Sequence, residues 1–219
     1  MPSISPSILS VEPAKIAGVV KKLEGKSESV HIDVMDGKFV PNNTLDRMNP
    51  QLVRGISGVK IVKNVHLMVE DHLHWSEKFC EAGADEVAFH YETGKVDEGI
   101  TLIKGHGVKV GIAIKPKTQP REIVSFFPKL DFVLVMSVEP GFGGQAFMPE
   151  SLSKISWLRE NYSREYGGKI WVDGGVNDET GVECARAGAD FLVAGNALFK
   201  HADFLAKLSE MQGKIGGRP

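Results

Sequence analysis

The sequence predicts an α/β protein built as a single (βα)8 TIM barrel. Short apolar runs rich in Val, Ile, Leu and Phe alternate with helical patterns, as in a parallel sheet that is covered by helices. The chain has 219 residues, and one barrel of this kind needs roughly 200 or more. Because no linker or low-complexity stretch divides it, residues 1–219 are expected to form one domain, with a flexible tail at Gly216–Pro219.

Eight short apolar runs are predicted to be strands. Their composition is typical of strands that are buried on both faces of a sheet. The predicted strands are Ile4–Leu9, Val30–Met35, Lys60–Met68, Glu86–His90, Val108–Ile114, Phe132–Ser137, Lys169–Asp173 and Phe191–Ala194.

Helical patterns fill the intervals between these strands. Several end at glycine, which commonly terminates helices, and Ser10 is a candidate cap for the first. The sequence Ala-Gly-Ala-Asp occurs at two helix-to-strand junctions, 82–85 and 187–190, and indicates a repeated βα unit. The predicted helices are Glu12–Leu23, Asp46–Gly55, His72–Ala82, Lys95–Lys104, Gln119–Phe127, Ser151–Glu165, Glu179–Ala187 and Ala197–Met211.

An open, doubly wound sheet is the alternative arrangement of alternating strands and helices. Such a sheet should carry a Gly-x-Gly-x-x-Gly dinucleotide fingerprint after its first strand. Here the first strand is followed by Ser10, Val11 and Glu12 instead. The strict alternation of eight strands with eight helices therefore favours a closed barrel.

Composition excludes several other classes of protein. A net charge of −2 without a basic stripe argues against nucleic acid as a partner. No apolar run reaches about 18 residues and no signal-peptide pattern begins the chain, so we expect no membrane association and a cytoplasmic location. Cys80 and Cys184 lie far apart in helical segments, and they are expected to be reduced and packed.

Polar residues at the strand ends form the first candidate site. In a barrel, catalytic groups come from the C-terminal ends of the strands. His31 and Asp33 are two residues apart on strand two and therefore face the same side of the sheet. His66 lies near the end of the neighbouring strand three, and Asp173 ends strand seven. Two imidazoles and two carboxylates at one mouth suit a divalent cation such as Zn, Mn or Fe.

Each of these four residues also has an ordinary structural explanation. A single strand-end His is more often a hydrogen-bonded core residue than a metal ligand, and a single Asp often caps the next helix. Four such side chains around one rim are harder to attribute to coincidence. The combination therefore favours a metal centre.

Glycines follow strands seven and eight, where barrels commonly bind phosphate. They belong to the sequences Asp173-Gly174-Gly175 and Ala194-Gly195-Asn196. Glycine lets a phosphate approach bare backbone N–H groups, although a strand-to-helix turn often needs glycine for its geometry alone. The occurrence of both loops together predicts a phosphorylated substrate.

Two further features lie near the predicted mouth. The loop Glu139–Gln145 is rich in glycine and is a candidate lid over a small ligand, whereas a plain surface turn needs fewer glycines. Met35, Met68 and Met136 fall at the ends of strands two, three and six. Each one alone is explained as core filling, but as a group they can line an apolar patch against a flat reactive intermediate.

Five segments, taken in order, resemble the ribulose-phosphate 3-epimerase family. The resemblance runs from residue 3 to about residue 200 at family-like spacing, and its specificity lies in the combination. The segments are Ser5-Pro6-Ser7-Ile8-Leu9-Ser10, His31-Ile32-Asp33-Val34-Met35-Asp36-Gly37, Val65-His66-Leu67-Met68-Val69, Val138-Glu139-Pro140-Gly141-Phe142-Gly143-Gly144-Gln145 and Val172-Asp173-Gly174-Gly175-Val176.

The resemblance implies interconversion of D-ribulose 5-phosphate and D-xylulose 5-phosphate by a homo-oligomeric enzyme with one divalent metal ion (Zn, Fe, Mn or Co). It implies that His31, Asp33, His66 and Asp173 are the metal ligands, with Asp33 and Asp173 also the catalytic acid/base pair. The implied substrate contacts are Ser7, His66, Gly141, Phe142, Gly143, Gly144, Asp173, Gly174, Gly175, Gly195 and Asn196.

Four positions depart from residues that are frequent in this family. Lys38 stands in place of a frequent His, Asn64 in place of Asp, and Lys115 in place of Asn. Asn196 replaces a frequent Ser after Gly195 but keeps the backbone N–H that would hold phosphate. Asn64 and Lys115 change the charge expected near the mouth, while the four predicted metal ligands are intact.

Epimerisation beside a ketone suits this set of residues. A base removes the carbon-3 proton, an acid returns one to the opposite face, and a cation stabilises the enediolate between the two steps. Strands two and seven are three positions apart around an eight-strand ring, so Asp33 and Asp173 can approach a substrate from opposite sides. One carboxyl is expected to be ionised at rest and the other protonated.

Two alternatives to this function remain at this stage. The first is another barrel enzyme acting on a phosphorylated ketose: a 3-epimerase for a hexulose phosphate such as allulose 6-phosphate, or a related decarboxylase or aldolase. The second is a catalytically silent barrel that senses sugar phosphate. The intact set of four predicted ligands argues against the silent barrel.

Overall fold

The computed structural model describes residues 1–217 and shows eight parallel strands arranged in one sheet. The order is β1-β8-β7-β6-β5-β4-β3-β2, so each strand lies beside its neighbour in the chain, and β8 lies beside β1. A parallel bridge between Ser7 and His31 joins the two remaining edges, which brings the sheet close to full closure. The strands are β1 Ser3–Pro6, β2 Ser29–Met35, β3 Val62–Met68, β4 Glu86–His90, β5 Lys109–Ile114, β6 Phe132–Met136, β7 Lys169–Asp173 and β8 Phe191–Ala194.

Helices cover the outside of this barrel. They are α1 Ile16–Leu23, α2 Pro50–Gly55, α3 His72–Glu81, α4 Val96–Gly105, α5 Ser151–Leu158, α6 Arg164–Tyr166, α7 Asp178–Ala187, α8 Asn196–Phe199 and α9 Phe204–Gly216. A π-helical turn over Arg159–Ser163 connects α5 to α6. The predicted fold class, a (βα)8 barrel, is confirmed.

Side-chain alternation along the strands separates two hydrophobic regions. Ile32 and Val34 point outward and are buried in the large core between sheet and helices. Phe132, Leu134 and Trp171 point inward and fill the barrel interior. Below the mouth, the interior is therefore a packed core, and the polar strand ends rest on it.

The strand boundaries differ from the prediction where polar side chains interrupt the extended chain. β1 ends at Pro6 and not at Leu9, because the Ser7 hydroxyl accepts the Leu9 N–H and starts a 3₁₀ turn over Ile8–Ser10. β3 begins at Val62 and not at Lys60. The six remaining strands match within about one residue at each end.

The early helices are shorter than predicted. The segment predicted as Glu12–Leu23 is a 3₁₀ turn over Pro13–Lys15 followed by α1, and the candidate cap Ser10 donates to Asn196. The segment predicted as Asp46–Gly55 starts its helix only at Pro50. There Asn49 caps the helix by accepting the Leu52 N–H, and proline fits the first helical position.

Two later helices also differ from the prediction. The segment Gln119–Phe127 is a 3₁₀ helix over Pro120–Lys129, not an α-helix. The final predicted helix, Ala197–Met211, is divided into α8 and α9, because Asp203 caps a new helix by accepting two backbone N–H groups. α9 includes Gly216, which was predicted to belong to the tail, and Arg218 and Pro219 lie outside the described residues.

The two Ala-Gly-Ala-Asp junctions serve the same structural purpose. Asp85 accepts the backbone N–H of Lys63 at the start of β3, and Asp190 accepts that of Ile170 in β7. Each aspartate thus fixes the start of its own strand against the preceding strand. The repeat is therefore a repeated structural junction, as predicted.

Both cysteines are buried free thiols, as predicted. Burial raises the pKa of Cys80 and that of Cys184 to about 12, so both are thiols at neutral pH. Within residues 1–217, none of the helices has the length and apolar character needed to cross a membrane.

Gly111 tests how tightly the barrel interior is packed. Gly111 lies on the inward-facing side of β5 beside Phe132, and a Cβ at this position would overlap the Phe132 ring. We expect Gly111→Ala to lower the free energy of unfolding by about 1–3 kcal/mol, because a buried ring in a packed interior has no space to move. Chemical denaturation of the purified variant measures this change.

Gly18→Ala is the matched control for Gly111→Ala. Gly18 is exposed on α1, and a Cβ there meets nothing within 4 Å. Alanine should raise stability by about 0.5–1 kcal/mol through its helix propensity. Equal effects of the two substitutions would contradict a close-packed interior.

Candidate metal centre and active site

Four side chains converge at the C-terminal mouth of the barrel. His31 and Asp33 come from β2, His66 from β3 and Asp173 from the end of β7. Each offers one ligand atom, and these atoms all lie within 4.8 Å of one another. Asp33 is directly paired with His66 in the sheet register, so the adjacent strands β2 and β3 deliver three of the four groups.

The distances between nitrogen and oxygen atoms in this cluster are short and similar. His31 Nε2 lies 3.3 Å from Asp33 Oδ1 and 3.7 Å from Asp173 Oδ2. His66 Nδ1 lies 3.3 Å from Asp33 Oδ1 and 3.4 Å from Asp173 Oδ2. Both imidazoles thus direct one nitrogen toward the same pair of carboxylate oxygens.

This geometry fits a divalent cation. Ligands bound tetrahedrally at about 2.0–2.1 Å stand about 3.3 Å apart, close to the spacing in this cluster. His31 Nε2 is buried and, among the described residues, has no hydrogen-bond partner. A buried polar atom that lacks a partner is costly, and a cation at the centre of the cluster would supply one. The four residues predicted as metal ligands are therefore brought together, and their donor set suits a cation.

Positive charge is favoured at this point of the barrel. Burial alone would raise the pKa of Asp33, but the imidazoles of His31 and His66 outweigh burial and hold that pKa well below its usual range. Burial would lower the pKa of His66, but Asp173 and Asp33 outweigh it and raise that pKa to about 9. Two carboxylates in a buried site thus attract a compensating positive charge.

The two aspartates have different surroundings. Asp33 is 4% exposed, and its Oδ2 accepts a hydrogen bond of 2.6 Å from the Ser7 hydroxyl. The Asp173 side chain is 15% exposed and faces the open cleft. The hydroxyl and backbone N–H of Ser137 donate to the Asp173 backbone carbonyl, which positions the backbone while the carboxylate faces the histidines and the cleft. Asp33 is therefore the more constrained of the pair.

A second layer of polar residues supports the histidines, and sequence reasoning gave it no role. His66 Nε2 lies 2.9 Å from His90 Nε2, and His90 Nδ1 lies 3.1 Å from Glu92 Oε2. Burial lowers the pKa of His90 to about 4. Burial would raise the pKa of Glu92, but hydrogen bonds with His90 and Thr118 outweigh it and lower that pKa to about 2. The sequence does contain a signal for this layer, because His90 ends the fourth predicted strand and the carboxylate of Glu92 follows two residues later.

His31 is supported in a similar way. Its Nδ1 lies 2.9 Å from Asn64 Oδ1, and Asn64 donates to Glu86 at 2.9 Å. Lys109 in turn donates to Glu86. Asn64 therefore lies beneath the mouth as a partner of His31, and the charge change expected there does not reach the cleft.

The predicted substrate contacts and apolar residues surround one cleft above the cluster. Of the predicted residues, His31 and His66 lie beneath the cleft wall, and the others form the wall itself. Leu9, Ser10, Val138, Pro140, Gln145, Val176, Val193 and Ala197 also line the cleft, although they are not among the predicted substrate contacts. The predicted residues in the wall are Ser7, Asp33, Met35, Met68, Met136, Gly141, Phe142, Gly143, Gly144, Asp173, Gly174, Gly175, Gly195 and Asn196.

The glycine loops after β7 and β8 present unpaired donors to this cleft. Gly174 and Gly175 have φ angles of 121° and 64°, in the left-handed region that favours glycine. Within the part of the chain that the structure describes, the backbone N–H groups of Gly175, Gly195 and Asn196 donate to no protein group. Such groups can bind an anion.

The loop after β6 also borders the cleft, and Gly144 lies close to the Asn196 side chain. The side-chain amide of Gln145 donates to the carbonyls of Glu139 and Phe142, which holds the loop in a compact shape. Phe142 is 56% exposed at the rim and has little to pack against. The role of this loop as a lid stays a prediction.

The two lysines that depart from the family pattern lie outside the described lining of the cleft. Lys38 is exposed, and Lys115 Nζ lies 3.8 Å from the centre of the Phe39 ring. Phe39 in turn packs against His90, with ring centres 4.8 Å apart. Lys115 therefore covers the second layer, and of the four departures only Asn196 lies in the wall of the cleft.

Comparison with known sequences gives consistent matches along the chain. A model described as the ribulose-phosphate 3 epimerase family matches residues 3–199. The ribulose-phosphate 3-epimerase of Bacillus subtilis is 40% identical, over 97% of this chain and 99% of that protein. The ribulose-phosphate 3-epimerase of Eremothecium gossypii is 39% identical, over 98% of this chain and 93% of that protein.

Solved structures show the same architecture at low sequence identity. KGPDC from Streptococcus mutans has a TM-score of 0.74 at 12% identity, covering 99% of this chain and 98% of that one. The 3-hexulose-6-phosphate synthase of Salmonella typhimurium has a TM-score of 0.74 at 16% identity, covering 97% of this chain and 98% of that one. At this identity the likeness shows the fold alone.

Removal of one ligand should abolish stabilisation by metal. We expect zinc to raise the unfolding temperature of the metal-free protein, with a gain of about 2.7 kcal/mol at a hundredfold excess over Kd. In His31→Leu this gain should disappear, because the buried nitrogen that lacks a partner is lost. Thermal unfolding with and without zinc measures it, and His74→Leu, a substitution of an exposed histidine, should respond like the wild type. An undiminished gain in His31→Leu would contradict the metal centre.

Proposed function

Because the chain belongs to the ribulose-phosphate 3-epimerase family, we propose that it interconverts D-ribulose 5-phosphate and D-xylulose 5-phosphate by proton transfer at carbon 3. One observation carries the mechanism: Asp33 and Asp173 reach one cleft from strands that are separated by two others around the barrel. Two carboxylates that approach from different sides are what inversion at one carbon requires.

The first step of this mechanism is removal of the carbon-3 proton by one carboxylate. The second is delivery of a proton to the opposite face by the other carboxyl. The proton arrives on the first group and leaves from the second, so the two groups exchange roles in the reverse direction. Asp33 is the resting base, since the surroundings that lower its pKa keep it ionised.

Asp173 is the second member of the acid/base pair in this proposal. Its carboxylate is more open to the cleft than that of Asp33, and its backbone is fixed through Ser137. Ser7 supports Asp33 by donating to the oxygen that faces away from His66. The Ser7 hydroxyl thereby orients the base and satisfies a lone pair that would otherwise be buried.

His31, Asp33, His66 and Asp173 would hold the divalent cation, and their donor types suit Zn, Fe, Mn or Co. Bound there, the cation would supply Lewis acidity toward the substrate oxygens. The histidines would share this cation with both carboxylates, since His66 Nδ1 lies at nearly equal distances from Asp33 and Asp173.

The phosphate of the substrate is assigned to the loops after β7 and β8. The N–H groups of Gly175, Gly195 and Asn196 are available to its oxygens. Glycine allows the close approach, and Ser10 holds the Asn196 side chain through a 2.7 Å hydrogen bond. Anchoring the phosphate here places the rest of a short sugar chain over the two carboxylates.

Apolar side chains close the remaining sides of the site. Met35 and Met68 pack together at the ends of β2 and β3, and Met136 lies at the end of β6. These side chains would lie against a planar intermediate and exclude water from it. Phe142, on the loop after β6, is the residue whose movement would complete the enclosure.

Two further expectations from the sequence stay predictions. They are a cytoplasmic location and assembly into a homo-oligomer. Both are compatible with the proposed reaction, and neither enters its mechanism.

Neutralising either aspartate should stop turnover. We expect Asp33→Asn and Asp173→Asn each to reduce kcat on ribulose 5-phosphate by at least about a hundredfold, because neither amide accepts or returns a proton. A coupled assay with zinc-loaded protein measures the change. Asp97→Asn, which removes an exposed ion pair with Lys129, should keep full activity.

The isotope and substrate dependence of the same assay separates the alternatives. In deuterated water, product should gain deuterium at carbon 3 with no carbon–carbon cleavage, whereas a decarboxylase or aldolase would cleave the chain. Ribulose 5-phosphate and allulose 6-phosphate are compared side by side, and faster turnover of the hexulose would replace the pentulose assignment. Near-wild-type activity of either asparagine variant would refute the two-carboxylate mechanism.

A change at Gly175 tests the phosphate position. Gly175 has a positive φ, and a Cβ there would press on the backbone of Phe147. We expect Gly175→Ala to raise KM for ribulose 5-phosphate at least about tenfold, because displacement of the loop removes one N–H contact to a charged group. Gly25→Ala, with a similar φ but open space in the loop between α1 and β2, controls for backbone strain. An unchanged KM in Gly175→Ala would place the phosphate elsewhere.

A further inference from the structure

The two histidines of the centre use different nitrogens. His31 directs Nε2 toward the carboxylates, whereas His66 directs Nδ1 toward them. The other nitrogen of each ring is hydrogen-bonded in the second layer. A nitrogen that binds a cation must be unprotonated, so the proton of each neutral ring has to be on the outer nitrogen.

On the His31 side, a row of hydrogen bonds fixes where that proton lies. His31, Asn64, Glu86 and Lys109 are register partners on four consecutive strands, β2 to β5. Glu86 accepts from the Lys109 ammonium and from the Asn64 amide. Because the Asn64 NH₂ group faces a carboxylate, its oxygen must face His31.

The orientation of Asn64 determines the tautomer of His31. An amide oxygen only accepts hydrogen bonds, so His31 Nδ1, at 2.9 Å, carries the proton. Nε2 is then bare, which agrees with its being a buried nitrogen that has no hydrogen-bond partner among the described residues. This row of hydrogen bonds therefore keeps His31 Nε2, the nitrogen that faces the metal centre, unprotonated.

On the His66 side, the row begins at Glu92. Its Oε1 accepts the Lys115 N–H at 2.8 Å and the Thr118 hydroxyl, and its Oε2 lies 3.1 Å from His90 Nδ1. Because an ionised carboxylate only accepts hydrogen bonds, His90 Nδ1 carries a proton toward it. A neutral His90 then has a bare Nε2, which accepts the proton of His66 Nε2 at 2.9 Å.

We propose that Asn64 with Glu86, and His90 with Glu92, are positioning residues that hold His31 and His66 in opposite tautomers, so that each presents a bare nitrogen to the cation. The inference rests on the proposed metal centre. None of the four residues belongs to the ligand cluster or to the described lining of the cleft, so they act through the two rings. Second-layer partners of this kind typically contribute a factor of about 10–100 to metal affinity.

The tautomers can be read directly from the rings. Proton–nitrogen correlation NMR of the zinc-loaded protein should show His31 protonated at Nδ1 and His66 protonated at Nε2, each with zinc at its other nitrogen. The opposite tautomer at either ring overturns the proposal. This measurement uses the wild-type protein, so it does not depend on whether a variant folds.

Zinc affinity of the metal-free protein, measured by competition with a chromophoric chelator, provides the second test. Asn64→Leu and His90→Phe should each weaken zinc binding by about 10–100-fold. His72→Phe is the control, because His72 is a buried histidine that stacks on Phe89 outside the centre. Unchanged affinity in Asn64→Leu and His90→Phe overturns the proposal.

A paired substitution separates positioning from general packing. Asn64→Asp alone places a second carboxylate beside Glu86 and should weaken zinc binding. Adding Glu86→Gln restores a donor to that carboxylate while His31 keeps its acceptor, so the double variant should recover affinity to within a few fold. If the double variant binds zinc no more tightly than Asn64→Asp alone, the result contradicts the proposed role of this row of hydrogen bonds.

If the wild type binds no zinc, the proposed metal centre itself is refuted. If the wild type binds zinc but the histidines have the opposite tautomers, only the inference about the positioning residues is refuted.

Discussion

The convergence of two carboxylates and two imidazoles in a buried volume is the constraint on which the rest of this mouth depends. Charged groups removed from water need partners, and each partner must be satisfied in turn. Asp33 accepts a hydrogen bond from the Ser7 hydroxyl, His31 is hydrogen-bonded to Asn64, and His66 is hydrogen-bonded to His90. The polar network therefore extends outward from the cluster until it reaches carboxylates that are anchored by lysine or by backbone N–H groups. An apolar mouth would need none of these residues.

Barrel closure makes that convergence possible. Only the parallel bridge between Ser7 and His31 joins β1 to β2 among the described strand pairs, and Ser29 adds a hydrogen bond to Ser5 below it. This seam lies between β2, which carries Asp33, and β1, whose other neighbour β8 leads into the proposed phosphate loop. The same contact therefore completes the barrel and brings the base, its Ser7 partner and the proposed phosphate site into one cleft. A loss of closure would separate them, even with every strand intact.

The period of two along strands explains why much of the site was predictable. His31 and Asp33 had to share a face, and the ends of parallel strands had to meet at one mouth, so local rules were sufficient. His90 and Glu92 were missed because their role depends on a contact with His66 across the sheet, which no local pattern encodes. The helix boundaries at Asn49 and Asp203 escape prediction for a related reason, because a capping side chain overrides the apolar periodicity from which a helix is predicted.

The difference between the two aspartates bears on how one site runs a reversible reaction. Both carboxylates face the two imidazoles, but Asp33 also accepts the Ser7 hydroxyl, whereas Asp173 is more exposed and its backbone carbonyl is held by Ser137. Protonation of Asp33 would therefore give up more favourable contacts than protonation of Asp173. In the proposed mechanism Asp33 is therefore the group that is ionised before the reaction, and substrate binding would have to offset that preference in the reverse direction. In the same mechanism the phosphate, at its proposed position in the loops after β7 and β8, would be the part of the substrate whose binding supplies that compensation without changing the chemistry at carbon 3.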